Sequence, residues 1–161
     1  MSRTSFSHRR LALVLLLAGT LTASGCGGGE PERLSKGEYV GKANAICKDN
    51  NRRINQLDKP TSRAEIPDFV RQGERITDRL LPRLEALEPP EEDEADIDRF
   101  VARLRDGRAL VKRLAAATES TNRAELQDIA VEAKSISADT RPFAKRYGLT
   151  ACVGETPAPG G

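Results

Sequence analysis

The sequence predicts an all-α protein whose main domain is an up-down-up-down four-helix bundle, with the second and fourth helices kinked. Apolar residues recur at steps of three and four through residues 34–153, as on the buried faces of helices. No stretch alternates with the period of two that a half-buried strand requires. Short turns separate four amphipathic segments, and the roughly 136 residues after position 25 suffice for one hydrophobic core.

The first 25 residues have the pattern of a secretory signal peptide. Arg3, Arg9 and Arg10 precede an apolar run from Leu11 to Leu21, and no acidic residue occurs before Glu30. The run is shorter than the roughly 20 residues that a membrane-spanning helix needs, and small residues follow it. The neighbours of Arg9 and Arg10 match a twin-arginine signal only in part, so we expect general secretion.

The segment Ala23-Ser24-Gly25-Cys26 resembles the lipobox of bacterial lipoproteins, although Ala23 replaces the leucine that the consensus prefers. The resemblance implies a diacylglyceryl group on the Cys26 thiol and cleavage just before this residue. Two acyl chains give stable anchoring, which predicts a lipid-anchored protein at the extracytoplasmic face of the cell membrane. We expect residues 26–33 to be a flexible tether and residues 154–161 a disordered tail.

Processing at Cys26 changes the charge and removes the single histidine. Three of the 26 basic residues and none of the 24 acidic residues precede Cys26, so the formal charge falls from +2 to −1. This balance argues against a nucleic-acid partner. Because His8 lies in the signal peptide, the mature chain has no histidine for nucleophile pairs or metal ligation. We expect no enzymatic activity, no cofactor and no metal site.

A lipid on Cys26 leaves Cys47 and Cys152 as an even pair. Disulfides persist outside the cytoplasm, which favours a bridge between them, with two free buried thiols as the alternative. A bridge would close a loop of about 105 residues, for which the chain-entropy estimate is near 4–5 kcal/mol. The sequence has no Cys-x-x-Cys motif to support thiol redox catalysis.

The first two predicted helices have clear starts. Ser35 and Glu38 fit a capping box, and the apolar period that follows runs to about Leu57. After a turn, Ser62 and Glu65 fit a second cap at the start of the next helix. These signals predict two helices separated by a short connection.

Proline and acidic residues delimit the middle of the domain. Pro82 lies inside the apolar period of the second helix, so we expect it to bend this helix, and Pro89-Pro90 to end it. The acidic run from Glu91 to Asp96 opens the third helix, where the helix dipole favours negative charge. Calcium binding is the weaker interpretation, because the run lacks the glycine and ligand spacing of a calcium loop.

The fourth predicted helix begins with the cap residues Asn122 and Glu125 and ends at Gly148. Pro142 predicts a bend within it. In an up-down-up-down bundle the first and fourth helices are antiparallel neighbours. This arrangement brings three aromatic residues together at one end of the bundle: Tyr39, Phe143 and Tyr147.

Polar side chains suggest two binding surfaces. Four arginines recur every four residues on the second helix: Arg71, Arg75, Arg79 and Arg83. They could contact anionic headgroups or an acidic envelope polymer. The favoured alternative is a solvated face on which Glu74 and Asp78 pair with them. Three polar residues lie on otherwise apolar helix faces: Asn50, Thr118 and Thr140. They predict either a small interior pocket or a polar layer whose members form hydrogen bonds with each other.

Four segments extend the resemblance beyond the lipobox: SGCGGG, YVGKANAICKDNNRRI, LEALEPP and RYGLTAC. Together they are similar to small lipoproteins of high-GC actinobacteria. This resemblance implies a secreted helical bundle with a Cys47–Cys152 bridge and carries over no catalytic residue. We therefore predict a membrane-anchored, non-enzymatic binding or interaction module of the cell envelope, with an envelope protein or anionic polymer as partner. The alternative function is a small-molecule-binding bundle that assists transport or sensing.

Overall fold

The computed structural model describes residues 33–154, and most of them are helical. They form five α-helices: α1 Lys36–Asn55, α2 Ile66–Thr77, α3 Leu80–Glu85, α4 Glu94–Ser120 and α5 Arg123–Tyr147. Single 3₁₀ turns accompany them at Arg63–Glu65, Glu91–Asp93 and Thr150–Cys152. No strand occurs among residues 33–154, and the all-α prediction is confirmed.

Several predictions concern the ends of the chain. The signal peptide of residues 1–25, the lipid site at Cys26, and nearly all of the tether and the tail lie outside the described residues. They stay predictions. Within residues 33–154, no helix combines the length and the apolar character needed to cross a bilayer.

Local sequence signals set most helix boundaries. The Ser35 hydroxyl accepts the Glu38 N–H at 3.4 Å, and the Glu38 carboxylate accepts the Ser35 N–H at 2.9 Å, which confirms the capping box. The Asn122 side chain accepts the Glu125 N–H at 3.2 Å at the start of α5. Gly148 ends α5 in the left-handed region with φ 97°.

The second predicted helix is interrupted rather than only bent. The helix α2 ends at Thr77, and α3 begins at Leu80. Pro82 has no N–H to donate to the carbonyl of Asp78, four residues earlier, and its ring crowds that carbonyl. The break therefore lies one turn before the proline. The helix α5, in contrast, continues through Pro142.

The start of α2 also differs from the prediction. The Ser62 side chain makes no capping hydrogen bond. Instead, the Glu65 carboxylate reaches back to the Thr61 N–H at 2.7 Å. Pro67 lies in the first turn of α2, where its missing N–H costs nothing.

Two hydrophobic clusters hold the helices together. The large cluster joins α1, α3, α4 and the end of α5 through twelve buried residues: Tyr39, Ala43, Ile46, Cys47, Leu81, Leu84, Ile97, Phe100, Val101, Ala144, Tyr147 and Leu149. The small cluster joins only α4 and α5, through Leu110, Ala117 and Ile129. The helix α2 packs against α4 and has no buried residue of its own.

Candidate functional site

The arginine line on α2 and α3 consists of Arg71, Arg75, Arg79 and Arg83. Arg71 pairs with Asp68 on its own helix and with Glu119 near the end of α4. Arg83 pairs with Asp49 of α1, with 3.0 Å between Nη1 and Oδ2. Two of the four charges are therefore matched within the domain, by carboxylates other than those expected from the spacing.

The other two arginines, Arg75 and Arg79, are exposed and make no ion pair within the described part of the chain. Asp78, an expected partner, pairs instead with Arg108 of α4 at 2.6 Å. The first arginine of the line thus links α2 to α4, and the last links α3 to α1. The two arginines between them are exposed to solvent. An anionic partner at this surface stays a prediction.

The bridge between Cys47 and Cys152 is present, with 5.0 Å between the two Cα atoms. The alternative of two free thiols is thereby excluded. The bond joins α1 to the segment that follows α5, a separation of 105 residues. The fold-back of the chain after Gly148 is the geometry that this bridge requires.

Side-chain amides hold the same segment, residues 148–152, which we name the C-terminal clasp. The Asn44 amide donates to the Gly148 carbonyl at 2.7 Å and accepts the Ala151 N–H at 3.1 Å. Asn51 donates to the Ala151 carbonyl at 2.9 Å. Both amides of α1 therefore satisfy backbone groups that a short 3₁₀ turn leaves open.

The polar residues proposed to line an interior pocket do not form one. Thr118 donates to the Ala115 carbonyl and Thr140 to the Ile136 carbonyl, each at 2.8 Å within its own helix. Such bonds satisfy the hydroxyl groups without a ligand. Asn50 is half-buried and lies at a surface groove beside α2 and α3.

A groove of about 660 Å³ runs between α4 and α5. Phe100 and Phe143 form its apolar floor, with 5.4 Å between the ring centroids. Three arginines and three aspartates line its sides, and several of them pair with each other, as Arg103 does with Asp139 at 2.8 Å. Its charges cancel, so this groove shows no electrostatic preference for a ligand.

A second groove, of about 600 Å³, lies between α1, α3 and α4, and we name it the Tyr39 groove. Five of its lining residues are apolar: Leu84, Leu87, Pro89, Ile97 and Val101. Its charged residues are Glu85, Glu88, Glu94, Asp98 and Arg105. Four carboxylates therefore face a single arginine, and the groove is acidic.

Tyr39 is 1% exposed and packs edge-on against Tyr147 at 6.3 Å between centroids. Its hydroxyl has no hydrogen-bond partner among the described residues, whereas the Tyr147 hydroxyl donates to Asp93 at 2.7 Å. Burial, aided by the negative charge of Asp98, raises the pKa of Tyr39 to about 12. This hydroxyl is therefore available for a hydrogen bond to a ligand in the groove, which makes the groove a candidate binding site.

The predicted aromatic group is confirmed, since Phe143 stacks on Tyr147 at 5.3 Å beside Tyr39. The groove next to it was not predicted. Its residues span positions 39–105 and come together only when α1, α3 and α4 pack. The acidic run after Pro89-Pro90 is the one local sequence signal for the Tyr39 groove. Glu94 belongs to this run, lies in the first turn of α4 and also lines the groove.

Residues 33–154 contain no group of three or more histidine, cysteine or acidic side chains placed to hold a metal ion. The candidate sites described above are the clasp, the line of arginines, and the grooves between the helices. Comparison of the chain with protein-family models, with curated proteins and with solved structures found no match in any of the three.

Proposed function

We propose that the mature chain is a lipid-anchored, non-enzymatic binding module at the extracytoplasmic face of the cell membrane. Its membership in the small actinobacterial lipoproteins is part of the same proposal. The support for anchoring is the signal pattern and the lipobox-like segment before Cys26. The described residues begin at Arg33, and the tether of about seven residues that the sequence predicts would span roughly 15 Å. The domain would therefore stay close to the membrane.

We also propose that the helices form an up-down-up-down bundle, with α2 and α3 together as its second leg and a bend at Pro142 in α5. Opposed residue numbering supports the antiparallel neighbours. Along α4 and α5, Arg103 pairs with Asp139, and the later Arg113 pairs with the earlier Glu132. Along α2 and α4, Arg71 pairs with Glu119, and the later Asp78 pairs with the earlier Arg108.

The binding function rests on one observation, the unpartnered hydroxyl of buried Tyr39 at an acidic groove. The hydroxyl group makes no hydrogen bond within residues 33–154, and Tyr39 lines the groove, so this group is available to a bound ligand. A volume of about 600 Å³ is within the range of small-molecule sites. We therefore favour a small-molecule-binding role, as an accessory to transport or sensing, over a macromolecular partner.

A partner of the second kind, an anionic envelope polymer, is favoured only by the exposure of Arg75 and Arg79. The double variant Arg75→Gln/Arg79→Gln tests it by co-sedimentation with purified cell wall. If an anionic polymer is the partner, the double variant should lose most of the fraction that sediments with the cell wall. Unchanged binding, with Arg123→Gln as the matched exposed control, would eliminate it.

Anchoring is tested by metabolic labelling with an alkyne fatty acid, followed by membrane fractionation. The wild-type chain should carry the label and sediment with membranes, because two acyl chains hold it there. Cys26→Ser should lose the label and appear in the soluble fraction. The double variant Cys47→Ser/Cys152→Ser serves as the control and should keep the label. A labelled Cys26→Ser protein would contradict the proposal.

The binding function is tested by a thermal-shift screen of the full chain in a neutral detergent against a library of small molecules of all charges. A ligand present at 100 times its Kd adds about 2.7 kcal/mol to the free energy of unfolding. A ligand of the Tyr39 groove should stabilise the wild-type protein more than Tyr39→Phe. If every stabilising compound acts equally on both proteins, the groove is not the binding site.

A further inference from the structure

We propose that the Tyr39 groove binds an organic cation that has one ammonium group and an apolar stem. This inference rests on the proposed binding function and specifies the chemical class of its ligand. It requires three properties of the groove: an unbalanced negative charge, a hydroxyl acceptor, and apolar residues in the lining. Each of them is present among the described residues.

The negative charge of the groove is only partly matched. Glu85 pairs with Arg105 at 2.5 Å, and Glu94 pairs with Arg33 at 2.9 Å. The remaining two carboxylates of the groove, Glu88 and Asp98, make no ion pair within the described part of the chain. A cation that enters the groove gains attraction from both of them, and an anion is repelled.

The base of the groove supplies a fixed polar acceptor. The Tyr39 ring is buried, and its hydroxyl oxygen has no donor or acceptor within residues 33–154. Tyr39 is neutral at physiological pH, as a tyrosine with the ordinary pKa of about 10 also is, and burial with the charge of Asp98 raises its pKa further, to about 12. The hydroxyl oxygen keeps its lone pairs available. An ammonium N–H can donate to this oxygen, while the half-buried side chain of Leu87 is available to contact the stem.

The chain itself places a cation at one end of this groove. The Arg33 guanidinium donates to the Pro89 carbonyl at 3.2 Å and pairs with the Glu94 carboxylate at 2.9 Å. Pro89 and Glu94 both line the groove. This contact shows that a cationic group can bind to the carboxylate and carbonyl oxygens at the edge of the groove. It also predicts competition, because Arg33 neutralises a carboxylate that a bound ammonium ion would otherwise use.

The experiment is isothermal titration of the full chain in a neutral detergent with n-butylammonium chloride, after subtraction of titrations into detergent alone. The uncharged 1-butanol and the anion butyrate are matched probes of the same stem. We expect a Kd for butylammonium at least tenfold below that for butanol, and no binding of butyrate. Equal affinities for butylammonium and butanol would overturn the cation assignment, and so would full displacement of butylammonium by calcium chloride at equal concentration.

Variants that are expected to change the Kd for butylammonium in opposite directions test whether it binds in the Tyr39 groove. Asp98→Asn and Tyr39→Phe should each raise the Kd about fivefold or more, because each loses one interaction with the ammonium group. Arg33→Gln should lower the Kd about twofold or more, since it frees Glu94. Asp128→Asn removes an exposed carboxylate of α5 outside the groove and should leave the Kd unchanged. Circular dichroism and urea midpoints verify that each variant is folded.

The outcomes separate this inference from the proposed function. If Asp98→Asn and Asp128→Asn bind butylammonium equally well, the cation does not occupy the Tyr39 groove and the inference is overturned. If neutral or anionic compounds of the thermal-shift library bind in a Tyr39-dependent manner and butylammonium does not, only the ligand class is wrong. The absence of binding by any compound contradicts both. Fatty-acid labelling of Cys26 bears on neither result.

Discussion

The two hydrophobic clusters of this domain differ in size and in the way they are closed. The large cluster has twelve buried residues. The C-terminal clasp packs against it, and the Cys47–Cys152 disulfide fixes the clasp to α1. The small cluster has three buried residues from α4 and α5, and α2 beside it buries none. Val131 of α5 is 69% exposed at this end. One half of the domain is thus firmly held, and the other half is covered on fewer sides.

Helix lengths explain the difference. The helix α1 has 20 residues, whereas α4 has 27 and α5 has 25, so α1 covers only part of the longer pair. The Tyr39 groove lies at the large cluster, where a rigid surround keeps a binding site in its bound geometry. Local unfolding should begin at the small cluster, because few apolar contacts oppose it there.

The largest effect should come from the disulfide. The double variant Cys47→Ala/Cys152→Ala should lower the free energy of unfolding by about 4 kcal/mol, because the unfolded chain loses a constraint on a loop of 105 residues. Urea unfolding followed by circular dichroism measures the loss. Cys26→Ser removes a cysteine outside the bridge and is the control. A loss below about 1 kcal/mol would show that the clasp does not depend on the covalent bond.

Equivalent truncations in the two clusters compare their packing directly. Leu84 is 2% exposed in the large cluster, and Leu110 is 5% exposed in the small one. We expect Leu84→Ala to lower the free energy of unfolding by about 3 kcal/mol, because surrounding side chains cannot fill the cavity. Leu110→Ala should cost about 2 kcal/mol, since its neighbours are few and close to water. Equal losses in urea unfolding would refute the contrast between the clusters.

The sequence was informative where a signal acts within one helical turn. The Ser35–Glu38 capping box, the Asn122 cap and the Gly148 stop are interactions between residues at most five positions apart. Each of them was predicted and is present. The cysteine pair was also predictable, because the predicted lipid on Cys26 leaves two cysteines, and this count needs no knowledge of the fold.

Features that depend on tertiary packing were not predictable in this way. The apolar period continues on both sides of Asp78 and Arg79, so the pattern does not show the break between α2 and α3. Asn44 has no local signal for its bonds to residues more than 100 positions away. The Tyr39 groove likewise requires three helices to meet, and Tyr39 alone is typical of a core residue.

A pair of asparagine truncations should have intermediate effects. Asn44 makes two hydrogen bonds to the C-terminal clasp, so Asn44→Ala should lower the free energy of unfolding by about 2 kcal/mol. Asn122 makes one capping bond beside the small cluster, and Asn122→Ala should cost about 1 kcal/mol. Asn55→Ala, at an exposed position of α1, should change stability by less than about 0.5 kcal/mol. Thermal unfolding of the three variants gives the order, and a reversed order of Asn44→Ala and Asn122→Ala would contradict the assigned role of the clasp.

The smallest effects should come from the two left-handed residues that end α4 and α5. Thr121 has φ 54°, which is unfavourable for a β-branched residue, so Thr121→Gly should raise the free energy of unfolding by about 0.5 kcal/mol. Gly148 has φ 97°, and a β-carbon there would lie 3.3 Å from Val40 Cγ1. Gly148→Ala should therefore lower the free energy of unfolding by about 1 kcal/mol.

These two variants also test whether the difference between the clusters is local. Thr121 lies in the turn between α4 and α5, so Thr121→Gly should slow amide exchange around Ile129 and leave exchange around Tyr39 unchanged. Gly148→Ala should speed exchange of the C-terminal clasp and of the neighbouring turns of α1. If either substitution changes exchange equally in both halves, the domain unfolds as one cooperative unit, and the small cluster is not an independent site of opening.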